Sequence, residues 1–498
     1  MKTNNIFSVL VLFLELTILI IPGCLLLFPS ITDKESKSII LDNEPKSSQI
    51  SLKIIVSDQQ APTIIGVIDD FLADSLGSGV NSVEVVASGT RADDQHTFLV
   101  EQMILESTEF DVIGLDTIWL AQFAENDWIS VLDSLLSLGE LDNYVDSMVD
   151  SCKYKGITYA YPYFMNLGIL YYRKDIIEDN GFNEADFDTW LELNTTANFI
   201  LNNVSGQLKD PNLVGYVGQF DVYEGGVVNF FEWASSYGAT NLVTSEGDIN
   251  INNPNVEEAM TFLQALFPPQ FTGVQGTPYI IPRVGLVMDE GSSVNKWLAN
   301  ESIFMRQWTF AYMNSVNINM SFGIVPLPTA SGAIGEKSSC VGGTVLAIPN
   351  CSQNQEAAWN LTRFLGDQLA QEFELTNASN FPALKSVYNF PPPGFDWIKN
   401  WTSQFQKTMA RPVHPKYPLI SSIIADSFSD ILKQIKDVNV TLAEMEAAIL
   451  KITSDEVEVP PSEPTGRIAG YNIMLLLLLC VLVISLITVV YKKNRDIN

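Results

Sequence analysis

The sequence predicts an α/β protein with helix-covered sheets and an apolar membrane helix at each end, and three observations lead there. Short β-rich runs alternate with amphipathic stretches through the interior, the pattern of open strand-helix units whose ligand sites fall at the carboxyl ends of strands. The composition, 47% hydrophobic and 17% charged over 498 residues, is that of a chain with a large core and not of a disordered one. Finally, Tyr471 to Tyr491, YNIMLLLLLCVLVISLITVVY, runs 21 residues without a formal charge.

Taken in order, Lys2 precedes an apolar stretch from Ile6 to Phe28, broken by Glu15, so residues 1–32 read as a secretory signal or an uncleaved signal anchor. Cys24, after Pro22-Gly23, adds the alternative of a lipidated cysteine. Residues 33–50, rich in Lys, Ser and Glu, read as a tether, and the body is expected over 51–452. Leu52–Val56, Val83–Ala87 and Asp111–Asp116 read as strands. Helical periodicity fits Thr63–Leu76, Asp94–Leu105, Thr117–Glu125, Asn255–Leu266 and Gln353–Gly366. Residues 453–467 form an acidic linker stiffened by Pro460, Pro461 and Pro464. Residues 468–491 are expected as a transmembrane helix, since the uncharged run spans roughly 30 Å at about 1.5 Å per residue. Lys492, Lys493 and Arg495 in the tail 492–498 put the C-terminus in the cytoplasm and the body outside the cell membrane.

Charge and side-chain chemistry exclude several functions. With 28 basic against 58 acidic residues the net charge is −30, which repels nucleic acid. The surplus belongs to the body and its tethers, because Asp33 to Arg467 alone carries −32. Five cysteines (Cys24, Cys152, Cys340, Cys351, Cys480) and two histidines supply no zinc cluster at these spacings, so no metal is expected. Whether Cys340 pairs with Cys351 is left open by the extended reading of Val345–Pro349 between them. The pairs Gly225-Gly226 and Gly342-Gly343 lack the spacing of a phosphate cradle, and no nucleophile elbow is present, so no cofactor is expected. Nine Asn-X-Ser/Thr sequons, at Asn194, Asn203, Asn300, Asn319, Asn350, Asn360, Asn377, Asn400 and Asn439, suit a glycosylated exterior.

Seven segments carry a resemblance in a fixed order: DVIGLDTIWLAQFAENDWISVLD (Asp111–Asp133), GITYAYPYFMNLGILYYRKDIIEDNGF (Gly156–Phe182), YEGGVVNFFEWASSYGA (Tyr223–Ala239), IFMRQWTFAYMN (Ile303–Asn314), FGIVPLPTASG (Phe322–Gly332), VGGTVLAIPNCSQNQEAAWNLTRFL (Val341–Leu365) and ARPVHPKYPLIS (Ala410–Ser421). Together they resemble the extracellular solute-binding proteins of carbohydrate ABC importers, of the maltose and trehalose-binding type. The resemblance implies a two-lobe periplasmic-binding-protein-like fold with discontinuous lobes: lobe one over about 51–164 and 344–390, lobe two over about 165–343 and 391–452. It places hinge crossings near Phe164–Leu167, Gly343–Ala347 and Pro391–Gly394.

A sugar site needs flat apolar surface for the pyranose ring and short polar groups for its hydroxyls. Where the family holds its ligand, this chain offers Asp58, Asp93, Asp116, Trp119, Phe164, Asn166, Tyr223, Glu224, Asn229, Trp233, Trp308, Gly342 and Gly343. Several have a purely structural alternative. Trp233 and Tyr312 are also the kind of residue that fills a core, Asp58 serves turns and Asp93 caps helices. Arg306 reads as an inter-lobe ion-pair partner, and Arg411-Pro412 as a helix-start or lobe-packing feature. Asn166, Thr344 and Leu384 stand where many family members have Asp, Trp and Arg, which separates the general role from the choice of maltose or trehalose. The resemblance implies no catalysis: a membrane-tethered receptor closes on a di- or oligosaccharide and delivers it to ABC permease subunits. A sensory ectodomain acting through a partner and an extracellular glycoside hydrolase are the alternatives; the second lacks a designated carboxylate pair.

Overall fold

The computed structural model describes residues 50–204, 212–244, 248–269, 279–332, 339–454, 467–468 and 471–472. The expected signal segment and tether at 1–49, and residues 473–498 of the expected membrane helix and tail, lie outside the described residues. So does 455–466 of the acidic linker. Tyr471–Asn472, at the head of the expected membrane helix, pair instead as a short strand with Arg467–Ile468. Among the described residues no helix is long and apolar enough to cross a membrane.

The body is built on two sheets. The first takes β1 (Ile50–Val56), β2 (Val80–Ala87), β3 (Val112–Asp116), β4 (Tyr161–Leu167) and, after a long excursion, two later strands. The excursion forms the second sheet from β5 (Ile169–Arg173), β6 (Val214–Val217), β7 (Ser302–Gln307) and β8 (Phe322–Val325). The chain then returns as β9 (Val341–Ala347) and β10 (Phe381–Pro382). The orders are β10-β4-β9-β3-β1-β2 and β8-β5-β7-β6. β1 pairs in parallel with both β2 and β3, as expected of strand-helix units, whereas β9 is antiparallel to β3 and β4.

Each sheet is the floor of one lobe; one hydrophobic cluster fills lobe one and extends to one face of the second sheet at Ile169, Tyr171 and Met305, and the other fills the rest of lobe two. Ile54, Ile55 and Val56 are all fully buried, so β1 is covered on both faces and reads as an unbroken apolar run. The same core takes Ile64, Val67 and Phe71 from α1 (Ala61–Ala73) and Leu99 and Met103 from α2 (Ala92–Ile104), helices close to the two spans that periodicity predicts. In lobe two, α3 (Glu224–Ser236) is buried on every side, which explains its many apolar and small residues. Beside it lies α4 (Pro254–Ala265), started by the Asn253 side chain accepting from Val256 N at 3.2 Å and by Pro254 in the first turn. α5 (Gln355–Gly366) carries Glu356 in its first turn and Arg363 in its last, both favourable to the helix dipole, and buries Trp359, Leu361 and Leu365 in lobe one. α6 (Gln368–Ala378) follows, and the C-terminal α7 (Tyr417–Leu432) and α8 (Val438–Thr453) pack in lobe two against α3 and α4.

The lobes are joined where neighbouring strands leave one sheet for the other. β4 passes into β5 through Gly168 alone, and β9 arrives from lobe two beside it, with Leu167 opposite Val341, Asn166 opposite Gly342 and Phe164 opposite Thr344. Gly343, at φ +142°, is required here: a Cβ would lie 2.4 Å from the Phe164 carbonyl oxygen. A third connection, 390–416, places Trp397 against Tyr312, ring centroids 4.4 Å apart, so Tyr312 serves as an aromatic bridge between lobes and not as a ligand group. Cys152, Cys340 and Cys351 are free thiols; Cys340 is at the foot of extended β9, which holds it away from Cys351.

Candidate functional site

A cleft of about 680 Å³ lies between the lobes at the carboxyl end of β3, within the ~300–1,000 Å³ of small-ligand sites. Lobe one supplies Gln60 from the start of α1, Gly114 and Asp116 from β3, and Phe164 and Asn166 from β4. Lobe two supplies Glu224, Gly225, Glu290 and Trp308. The returning β9 contributes Gly342, Gly343 and Thr344, the end of α6 contributes Phe373 and Asn377, and Arg411 closes the base.

Arg411 is the electrostatic centre. Its Nη1 donates to Glu224 Oε1 at 2.7 Å and its Nη2 to Asp116 Oδ1 at 2.9 Å, so one guanidinium, 5% exposed, holds a carboxylate from each lobe. Glu224 also accepts from Tyr417 at 2.8 Å and from the Ser421 hydroxyl. Burial nevertheless raises the Glu224 pKa, with Arg411 offsetting part of the penalty.

Trp308 forms the platform. The Arg306 guanidinium covers its ring at 4.1 Å from the centroid, and Trp308 Nε1 donates to Glu290 Oε1 at 3.3 Å. Glu290 Oε2 accepts from Tyr223 at 2.6 Å. Opposite, Asn166 Oδ1 accepts from Thr309 Oγ1 at 2.5 Å, and Gln60 Nε2 donates to Thr344 Oγ1 at 2.5 Å. At the rim Arg91 of lobe one reaches Asp221 at 3.0 Å and lies 4.5 Å from the centre of the Tyr223 ring, so the lobes meet around the opening.

The structure therefore gathers Asp116, Phe164, Asn166, Glu224, Trp308, Gly342 and Gly343 into one cleft. It does not bring the other expected residues there. Trp119 is 3% exposed in the lobe-one core with its ring beside His96, because its 3-10 turn points inward. Trp233 is stacked on Trp190 at 3.7 Å inside lobe two. Tyr223 and Asn229 are buried behind the cleft wall, Tyr223 holding Glu290 and Asn229 donating to the Gly225 carbonyl within α3. Asp58 accepts from Gly89 N at 2.8 Å, a loop-tying role. Asp93 sits in the first turn of α2, and its Oδ1 accepts from Glu224 N at 3.4 Å, linking the lobes beside the cleft.

The two arginine expectations fare differently. Arg306 does not bridge the lobes; it pairs with Glu232 inside lobe two. Arg411, expected as a helix-start or lobe-packing feature, ion-pairs with a carboxylate of each lobe. Glu290 and Gln60 had no local sequence signal, Asn377 was read only as a sequon, and Thr344 and Arg411 stood in quoted segments without being assigned to the cleft. Leu384 is outside it, on the far side of lobe one near Tyr144 and Tyr161.

His96, near the lobe interface, has its pKa lowered by burial, which outweighs the hydrogen bond to Gln122 and the charge of Asp93. The folded state thus binds a proton less readily than the unfolded chain, so its contribution is present above pH ~6.5 and lost as pH falls through the folded pKa. Between pH 7.5 and 5.5 the wild type is expected to lose more melting temperature than His96→Gln, measured by differential scanning calorimetry of both proteins; equal losses would contradict this.

The family described as bacterial extracellular solute-binding protein matches residues 66–405. A probable ABC transporter-binding protein of Deinococcus radiodurans is 29% identical over 338 residues, 64% of this chain and 76% of that one. Among solved structures, maltose-bound MalE3 of T. maritima superposes with a TM-score of 0.72 at 24% identity, covering 81% of this chain and 99% of that one. The Thermus thermophilus maltotriose binding protein with maltotriose gives 0.66 at 16% identity, over 81% and 100%.

Proposed function

The chain belongs to the bacterial extracellular solute-binding proteins, and from that premise we propose that its cleft captures a di- or oligosaccharide and hands it to the permease of an ABC importer. A binding protein of this family needs no catalytic group, and the cleft is equipped for recognition. The observation that carries the sugar reading is the composition of the walls: a half-buried indole backed by a guanidinium on one side, with carboxylates, amides and a hydroxyl facing the same space. Indole matches the C–H face of a pyranose, and Asp116, Asn166, Glu290 and Thr344 match its hydroxyls. The structural relatives holding maltose and maltotriose support the same reading.

Closure follows from the layout. A ligand touching Trp308 and Asn166 together stabilises the closed form, so the closed population reports loading. The uncharged run at 471–491, the basic tail and the N-terminal apolar segment support a body held outside the membrane, near its transporter, with raised effective concentration there. Of the sequon asparagines, Asn203, Asn300, Asn319, Asn350, Asn377, Asn400 and Asn439 are exposed, which supports a glycosylated exterior.

The test is a titration of the protein, followed by tryptophan fluorescence and calorimetry, with maltose, maltotriose, trehalose, mannitol and a set of peptides. One-to-one binding of at least one di- or oligosaccharide, without release of smaller sugars, is expected. Binding of peptides and of none of the sugars would refute the carbohydrate reading.

A further inference from the structure

We propose that the buried Glu232–Arg306 pair is a positioning device that fixes the hinge and the Trp308 platform as one rigid unit; its effect on affinity rests on the sugar-cleft reading. Neither residue lines the cleft. Arg306, in β7, is 1% exposed and Glu232, in α3, is 2% exposed. Arg306 Nε and Nη2 donate to the two Glu232 oxygens at 2.7 Å each, and Nη1 donates to Gln219 Oε1 at 2.9 Å. The guanidinium plane therefore has a single orientation, and Trp308 lies against it.

The same pair touches both crossing strands. Glu232 Oε1 accepts from the Cys340 amide at 3.2 Å, one residue before β9. A Cβ at Gly168, the sole link between β4 and β5, would stand 2.0 Å from Glu232 Oε1 and 2.6 Å from Arg306 Nη2, so the backbone there lies directly on the ion pair. Ser339 Oγ donates to the Gly168 carbonyl at 2.6 Å and ties one crossing to the other. Two hinge segments and the aromatic wall thus converge on one bidentate contact. Buried ion pairs add little stability over apolar residues of equal volume, whereas their fixed geometry specifies an arrangement.

The experiment compares the wild type with Arg306→Lys, which keeps the charge and loses the fork, and with the double variant Glu232→Leu/Arg306→Met, which strands no charge. Trp308 emission is isolated in each background by subtracting the matching Trp308→Phe protein. Without any ligand, the double variant is expected to show red-shifted Trp308 emission, greater acrylamide quenching, and at least about tenfold faster hydrogen exchange at Val341, whose amide keeps its own acceptor on Met409. Arg306→Lys should fall between. Titrated with maltose and maltotriose, the double variant should bind whichever sugar the wild type binds about tenfold more weakly. Wild-type emission, quenching and exchange in the double variant would overturn the proposal whatever happens to the melting temperature. If neither sugar binds the wild type, the sugar reading loses support for those ligands, while the ligand-free measurements still decide this one.

Discussion

Arg411→Met is expected to lower the unfolding free energy by about 3–5 kcal/mol, among the largest losses of any single substitution in the body, because it leaves the buried Glu224 carboxylate without its cation. The attraction of Asp116 and Glu224 outweighs the burial that would otherwise lower the Arg411 pKa, and the net shift is upward. Once the guanidinium is gone, burial raises the Glu224 pKa further, with the Ser421 hydrogen bond left to offset only part of it. The folded variant then binds a proton more readily than its unfolded chain, so its stability should rise as pH falls through the raised folded pKa. Urea unfolding at a series of pH values checks both points. A variant as stable as the wild type at neutral pH would show that the carboxylates find other partners. Glu224→Gln in the Arg411→Met background is expected to recover much of the stability, since the stranded charge is removed, but not the ligand affinity, since the donor on the cleft floor is still missing.

Trp308→Ala should cost about 2–4 kcal/mol of binding free energy, roughly 30- to 1,000-fold in affinity, the loss expected of an aromatic anchor at the centre of a site. Its effect on folding should be smaller, because the ring is only half-buried. Trp308→Phe keeps an aromatic face but loses the donor to Glu290 and part of the overlap with Arg306, and should fall between. Calorimetric titration with the sugar found in the panel gives the numbers. Affinity within twofold of wild type for Trp308→Ala would place the stacking surface elsewhere, with Phe164, Phe310 and Phe373 as the remaining aromatics of the walls.

Much of the fold was legible in local pattern. The apolar run of Leu52–Val56 and the periodicity of Asn255–Leu266 and Gln353–Gly366 give elements within a few residues of those observed, because strand and helix periods are properties of adjacent residues. The insertion of β9 between β3 and β4 was not legible, because sheet order depends on contacts between distant segments. The site divides along the same line. Asp116 and Asn166 were readable from their places at a strand end and a proposed crossing. Trp119 and Trp233 were misplaced because an aromatic side chain looks the same in sequence whether its face is turned to a core or to a cleft. The inter-lobe ion pair, expected at Arg306, falls at Arg411 instead, whose partners 187 and 295 residues away leave no local trace in the sequence.

The crossing made by β4 and β9 has a mechanical consequence. Because Phe164 to Leu167 are laddered to Thr344 through Val341, the lobes are connected by a hydrogen-bonded ribbon and not by two independent threads. A ribbon flexes readily about the axis lying in its plane and across its strands, and resists twisting and sideways shear, which would break its ladder. If the cleft closes on its ligand as proposed, relative travel of the lobes should follow a single coordinate, along which occupancy would register as open or shut.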